Sequence, residues 1–232
     1  MHWSFFMENN AVSLRLPVML PVRDLHRWLL TSIMLITIFL GWKYPLLGFT
    51  VPVAMVVGMG GGLLRGRYVC GNICPRGSFY DTMFRYLGGT RPIPEILTSM
   101  KFRWGAMTVL MSLMGLQIAQ NPGDPLHWGH VFWLICAVTT GVGVVLGMIY
   151  RPRTWCSFCP VGTTANALGG HKDQLEIASS CVSCKLCEKQ CPMDFQIAAH
   201  KQEGVLPHRD CLKCSACVNA CPKNALSWPS EA

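Results

Sequence analysis

Eight cysteines in two matching frames constrain this chain more than any other feature. Residues 181–192 read CVSCKLCEKQCP and residues 211–222 read CLKCSACVNACP, both fitting C-x2-C-x2-C-x3-C-P with a period of 30 residues. Three thiolates at this spacing wrap one corner of a [4Fe–4S] cube, and the fourth, ahead of proline, reaches across to the other cube. One cluster is expected to take Cys181, Cys184, Cys187 and Cys221, and the other Cys211, Cys214, Cys217 and Cys191. Zinc is the competing ligand, but zinc sites use spaced pairs rather than eight cysteines in a crossed register. A disulfide framework is a poor fit, because the start MHWSFFMENN lacks a basic region leading into an apolar core and a small-residue cleavage site.

The segment over about residues 176–226 resembles the bacterial two-cluster ferredoxins. The resemblance implies a small α+β sandwich with pseudo-twofold symmetry that relays electrons and has no substrate pocket.

The rest of the chain is different in kind. Hydrophobic residues make up 51% of the sequence and charged residues only 14%. The formal net charge is +8, yet residues 171–232 hold seven Lys/Arg against seven Asp/Glu, so the excess lies entirely in residues 1–170. Four apolar stretches are long enough, or nearly so, for the ~20 helical residues that cross a bilayer: Leu25–Trp42, Pro45–Leu64, Trp104–Ala119 and Val131–Tyr150. Buried core helices are the rival reading, but arginine flanks and border tryptophans favour spans. Arg15, Arg23 and Arg27 precede the first stretch. Arg65, Arg67, Arg76, Arg85, Arg91, Lys101 and Arg103 separate the second from the third, and Arg151 and Arg153 follow the fourth. The other face has Lys43 alone. This asymmetry signals membrane topology rather than nucleic-acid binding. It predicts a multi-pass protein of the cytoplasmic (inner) membrane with both termini and the ferredoxin domain on the cytoplasmic side. The expected fold is an α-helical membrane protein, four transmembrane helices as two duplicated hairpins, plus a small α+β ferredoxin-like domain. Its boundaries are a cytoplasmic N-terminal segment (1–24), a four-helix membrane domain (25–170) and a two-cluster ferredoxin domain (171–232).

The membrane half carries its own echo. Residues 65–77, RGRYVCGNICPRG, return 86 positions later as RPRTWCSFCPVG over residues 151–162. Each copy runs through C-P-x-G into a stretch ending Leu-Gly-Gly, at Leu87-Gly88-Gly89 and Leu168-Gly169-Gly170. Ser78 and Thr163 are expected N-caps, and Gly88 and Gly169 C-caps, of a helix after each motif. Each motif also follows a G-x-x-x-G, Gly58 to Gly62 and Gly143 to Gly147. Small residues so spaced let membrane helices approach closely, though glycine is also simply common in such helices. Close packing of the second and fourth spans would bring Cys70, Cys74, Cys156 and Cys159 together, four thiolates for a third [4Fe–4S] cluster. Zinc, disulfides or pairing across a dimer interface would use the same cysteines. The arginines of R-x-R either offset the charge of such a cluster or only mark topology. Of thirteen cysteines this leaves Cys136, expected as a small buried hydrophobe within a span.

With these motifs the chain resembles the membrane-bound polyferredoxins of the NapH and NosR type, the 4Fe-4S membrane components of quinol dehydrogenases. Cys70 and Cys74 match that family's C-x3-C-P, whereas Cys156 and Cys159 form a copy one residue tighter. The resemblance spans roughly residues 25–226. It implies electron transfer between the quinone pool and a partner redox subunit, with other subunits of a membrane redox complex supplying the terminal donor or acceptor. It therefore implies an electron-transfer component of a membrane oxidoreductase rather than a self-contained enzyme. A metal- or thiol-reducing assembly or maturation factor for a respiratory enzyme is the alternative. Asp124, His127, Trp128 and His130 in the outer loop are candidates for a quinone headgroup or partner contact, against the plainer reading of an interfacial loop with belt aromatics.

Overall fold

The computed structural model describes residues 21–89 and 91–229. The expected N-terminal segment, apart from residues 21–24, and both termini lie outside the described residues.

The chain folds as two successive helical sets of the same plan followed by a small ferredoxin-like unit. In the first set, α1 (Pro21–Leu40) leads through a 3-10 turn at Pro45–Phe49 into α2 (Thr50–Arg65), then short α3 (Tyr68–Asn72) and α4 (Pro75–Leu87). A connecting turn of helix, α5 (Glu95–Thr98), precedes the second set. That set comprises α6 (Met100–Gln120), α7 (Pro125–Ile149), short α8 (Thr154–Phe158) and α9 (Pro160–Gly169). Each set is thus two long helices, one turn carrying the first motif cysteine, and a helix beginning at the proline of C-P.

Local chemistry sets these boundaries. Ser99 accepts from the Phe102 amide at 3.4 Å to cap α6, and Asp124 accepts from the Leu126 amide at 2.9 Å to cap α7. At α4 and α9 the expected caps are displaced. The helices start at Pro75 and Pro160, so Cys74 and Cys159 occupy the N-cap positions and Ser78 and Thr163 lie inside the first turn. Proline's fixed φ and missing N–H suit the first helical position, and that preference decides the start. Gly88 caps α4 as expected, but α9 runs through Gly169 and Gly170 caps it.

All four stretches expected to span a membrane are helical. Among the described residues two helices, Pro45–Arg65 and Pro125–Ile149, are long and apolar enough to cross one, while the apolar part of α1 is shorter, Leu25–Leu40. Large apolar side chains nevertheless face outward on every long helix: Ile33, Ile36 and Phe39 on α1, Val53 and Val56 on α2, Val109, Leu113 and Leu116 on α6, Val138, Val142 and Val145 on α7. Contiguous exposed apolar surface of this kind marks contact with lipid or protein rather than water.

The glycine pairs pack differently from expectation. Gly58 and Gly62 of α2 do not meet Gly143 and Gly147 of α7. They receive α9 of the other set, where a Cβ on Gly62 would lie 2.8 Å from the Cα of Ala165 and one on Gly58 would strike Val161. Gly143 and Gly147 receive α4 in the same way, against Tyr80 and Phe84. The glycine faces of α2 and α7 therefore each seat the post-motif helix of the opposite set, an exchange that interlocks the halves. The spans themselves touch at their other ends, where Gly48 and Gly129 face each other with no room for a side chain on either. Tyr80, Phe84, Phe79, Met34, Cys136, Trp155 and Phe158 fill the shared core.

The ferredoxin-like unit has two strands, β1 (Glu176–Ile177) and β2 (Leu226–Ser227), paired antiparallel, with α10 (Leu186–Gln190) and α11 (Ala216–Asn219) after the cysteine loops. Leu175, Ile177, Ile197, Leu206, Leu226 and Trp228 form its core.

The interlock makes a paired prediction. Gly62→Ala should destabilise the protein by about 1–3 kcal/mol through overpacking against α9. Gly60→Ala, with nothing near its added methyl, should be neutral or stabilising by up to about 1 kcal/mol. Thermal unfolding of both variants in detergent checks the difference.

Candidate iron-sulfur centres

The two ferredoxin motifs fold into loops with repeated backbone geometry. Ser183 and Lys185 in the first, and Lys213 and Ser215 in the second, all adopt left-handed φ between 52° and 59°. Asp194 and Asn224, each three residues past the cysteine of C-P, do the same at 64° and 47°. Alternating handedness turns successive N–H groups inward, a concave arrangement suited to anions and iron–sulfur groups. The Ala225 amide donates to Cys221 Sγ at 3.3 Å, and the amides of Met193, Asp194 and Phe195 bond the Cys191 thiol.

Two cavities result. One is lined by Cys181, Cys184, Cys187 and Cys221; the other by Cys191, Cys211, Cys214 and Cys217. Each brings three cysteines of one motif to the fourth of the other, the crossed grouping expected from the spacing. Four thiols, inward amides and an apolar lining are the donor set and shape a [4Fe–4S] group needs.

The other four cysteines converge from the two helical sets. Cys70 and Cys156 pack in one core, and Cys74, Cys159 and Cys156 all lie within electrostatic reach of Cys70. Burial pushes the Cys70 thiol up to about 12, against the pull of Arg67. Cys156 is raised in the same way, by burial first. The Gly77 amide bonds Cys74. Trp155 Nε1, Ser157 Oγ and Thr163 Oγ1, all flanking Cys156 and Cys159, are buried without a protein hydrogen-bond partner. Buried thiols beside unmatched donors and cations suit an anionic group that accepts hydrogen bonds through sulfur. Among the described residues no three His, Cys, Asp or Glu side chains converge on a point fit for one bare ion, the ferredoxin cysteines included.

Two arginines tie this site together by crossing it. Arg67, three residues before Cys70, donates to the carbonyl of Cys156. Arg153, three residues before Cys156, donates to the carbonyl of Cys70 at 2.8 Å. Glycines of the C-P-x-G turns make room: a Cβ on Gly162 would lie 2.6 Å from Arg67 Nη2, and one on Gly77 would strike Arg153. Both guanidiniums are about 1% exposed. The second arginine of each R-x-R is thus part of the site rather than a solvent-facing topology marker. Asp81 holds Arg153 through both its oxygens at 2.7 Å.

The ferredoxin unit sits directly on this site. Met193, Leu212 and Cys214 share the core of Cys70 and Cys156. Asp210 accepts from Arg67 at 2.9 Å and from Arg103 at 2.8 and 2.6 Å. Lys213 Nζ donates to the Arg65 carbonyl at 2.9 Å, Asn72 to the Lys213 carbonyl at 3.1 Å, and Arg151 pairs with Asp194. Gly71 is required where the Leu212 carbonyl comes against it. The second ferredoxin cavity, with Cys191, Cys211 and Cys214, is therefore the one at the interface. The first has an exposed rim, with Val182 57% accessible and Cys184 exposed.

Elsewhere the candidates find local partners. Asp124 is a helix cap, His127 Nε2 bonds the Gln117 carbonyl at 2.9 Å, and Trp128 Nε1 donates to the Asn121 carbonyl at 3.3 Å. His130 packs against Trp42 and Trp133. Cys136 is buried, as expected of a small hydrophobe, but its sulfur also accepts from Arg76 at 3.1 Å. Asp81, Arg103, Asn166 and Asp210 were not among the expected site residues. A readable signal existed for two of them, since Asp81 and Asn166 each lie seven residues after the cysteine of C-P.

Residues 47–94 and 130–175 each match the family model of a 4Fe-4S binding domain, and residues 180–226 match that of a 4Fe-4S dicluster domain. The chain therefore carries 4Fe-4S ferredoxin-type domains in both its helical and its C-terminal parts, the segments holding all twelve cysteines of the three sites. It is similar to two uncharacterized proteins of Methanocaldococcus jannaschii. One is 25% identical over 184 residues, covering 72% of this chain and 73% of the relative. The other is 26% identical over 179 residues, covering 71% of this chain and 65% of the relative. No solved structure matches the chain.

The buried ion pair that joins Asp81 of the first set to Arg153 of the second gives a test. Asp81→Asn strands the Arg153 guanidinium without its counter-ion and should cost about 3–5 kcal/mol. Asp124→Asn, at an exposed helix cap where asparagine serves as well, should change stability by less than about 0.5 kcal/mol. Denaturant unfolding of the two variants measures the contrast.

Proposed function

We propose that this chain is a membrane-bound iron–sulfur electron-transfer subunit with three [4Fe–4S] sites. Cys181, Cys184, Cys187 and Cys221 hold the outer one; Cys211, Cys214, Cys217 and Cys191 hold the middle one; Cys70, Cys74, Cys156 and Cys159 hold the one in the membrane domain. The observation that carries this reading is the shared core of Cys70, Cys156, Met193, Leu212 and Cys214, which sets the middle site directly against the membrane-domain site. Each cluster, when bound, supplies a reversible one-electron store whose potential depends on hydrogen bonds, charge and exposure.

The residues around the sites serve that use. Burial of Cys70 and Cys156 excludes water, and Arg67 and Arg153 place positive charge beside the thiolates. Asp210, Lys213, Asn72 and Arg151 fix the ferredoxin unit at one distance from the membrane domain. The exposed rim of the outer site, at Cys184 and Val182, is where a partner redox subunit would exchange electrons.

In this proposal α1, α2, α6 and α7 all cross the cytoplasmic membrane, supported by the apolar side chains each turns outward. Arg65, Arg91, Lys101 and Arg151 on the ferredoxin side against Lys43 on the other support a cytoplasmic ferredoxin unit. The quinone pool, or another subunit of a membrane redox complex, is the remaining exchange partner, as the resemblance to the NapH and NosR type implies.

Iron and acid-labile sulfide per chain test the assignment. About 12 irons are expected, falling to about 8 in a Cys70→Ser, Cys159→Ser variant, at four per cluster. Eight irons in both proteins would remove the membrane-domain site from the account.

A further inference from the structure

The correspondence between the two helical sets extends to their charges. Arg67 corresponds to Arg153, each three residues before its cysteine, and Arg27-Trp28 in α1 corresponds to Arg103-Trp104 in α6. Asp81 and Asn166 occupy the same place, seven residues after Cys74 and Cys159. Around Asp81 the first group closes on itself: Arg153 at 2.7 Å on each oxygen, with Arg27 at 3.6 Å. The matching group has two arginines, Arg67 and Arg103, each about 1% exposed, but only an amide at the corresponding position. A neutral amide cannot balance two buried guanidiniums. The missing carboxylate comes from the ferredoxin unit. Asp210 takes Arg67 at 2.9 Å and Arg103 at 2.8 and 2.6 Å, and the Asn166 amide nitrogen donates to it as well.

We propose that Asp210 is a positioning residue that completes the twofold arginine frame of the membrane domain from outside it. It occupies, for Arg67 and Arg103, the role Asp81 plays for Arg153 and Arg27. The ferredoxin unit is on this view a structural member of the four-cysteine site and not a module on a tether. Asp210 acts on that site through Arg67, which also donates to the Cys156 carbonyl. The symmetry break at Asn166 is what makes the dock: an aspartate there would satisfy both arginines without the ferredoxin. This deepens the proposed function and takes from it only the identity of the four cysteines. Iron content, measured on the same samples, reports on that reading separately.

The test is hydrogen–deuterium exchange by mass spectrometry on the full chain in detergent, comparing wild type, Asp210→Asn and the Asn166→Asp, Asp210→Asn swap. Two segments are followed: residues 67–74 at the site and residues 206–214 on the ferredoxin face. Asp210→Asn should raise exchange in both by about tenfold or more, as local opening becomes easier. The swap returns a carboxylate to Arg67 and Arg103 within the membrane domain. It should restore residues 67–74 to about twofold of wild type while residues 206–214 stay unprotected. Exchange unchanged in Asp210→Asn overturns the proposal, and so does a swap that recovers neither segment or both. Should Asp210→Asn fail to accumulate, the swap decides alone: a protected 67–74 with an unprotected 206–214 supports the proposal, and any other pattern contradicts it.

Discussion

Two arginines crossing between the halves of the helical domain are the interaction on which the rest depends. Arg67 reaches the carbonyl behind Cys156, and Arg153 reaches the carbonyl behind Cys70. Carbonyl oxygens at the ends of such short helices lack partners within the helix, and here the other half supplies them. Because the donors are charged and sheltered from water, these hydrogen bonds are stronger than neutral ones. Their cost is two buried cations, which Asp81 and Asp210 offset.

The helices are arranged to protect this crossing. The glycines of α2 and α7 are notches for α9 and α4, so the chain segment after each motif is gripped by the opposite half. That exchange positions Pro75 and Pro160, and hence Cys74 and Cys159 just ahead of them, at helix N-termini. The positive ends of those helices then bear on the four thiols, adding to the field of the arginines. The ferredoxin unit closes the remaining side with the loops around Cys191 and Cys211, so one module's ligand loops form a wall of the next module's site.

What the sequence made legible was the chemistry with local spacing. C-x2-C-x2-C-x3-C-P encodes both the ligands and their crossed sharing, because three cysteines within seven residues must face one center, and the structure groups them so. The repeat of R-x-R and C-P was equally visible. Long-range charge was not. Arg67, Arg103 and Arg153 lie near helix ends, where a cation ordinarily snorkels to water and reports topology; their burial depends on carboxylates as far as 143 residues away in the chain. The glycine pairs revealed a notch but not its occupant, since a small residue specifies close approach and says nothing of what approaches. The helix starts at Pro75 and Pro160 were missed for a simpler reason: Ser78 and Thr163 are good caps, but proline at the first helical position takes precedence.

The central claim is that the two halves hold one cluster between them. The most direct measurement is non-heme iron in Cys70→Ser, Cys156→Ser and the double variant, set against wild type. One shared cluster predicts the same loss, about four irons, from either substitution and no further loss from both. Losses that add in the double variant would mean each half binds its own group, and would contradict the account.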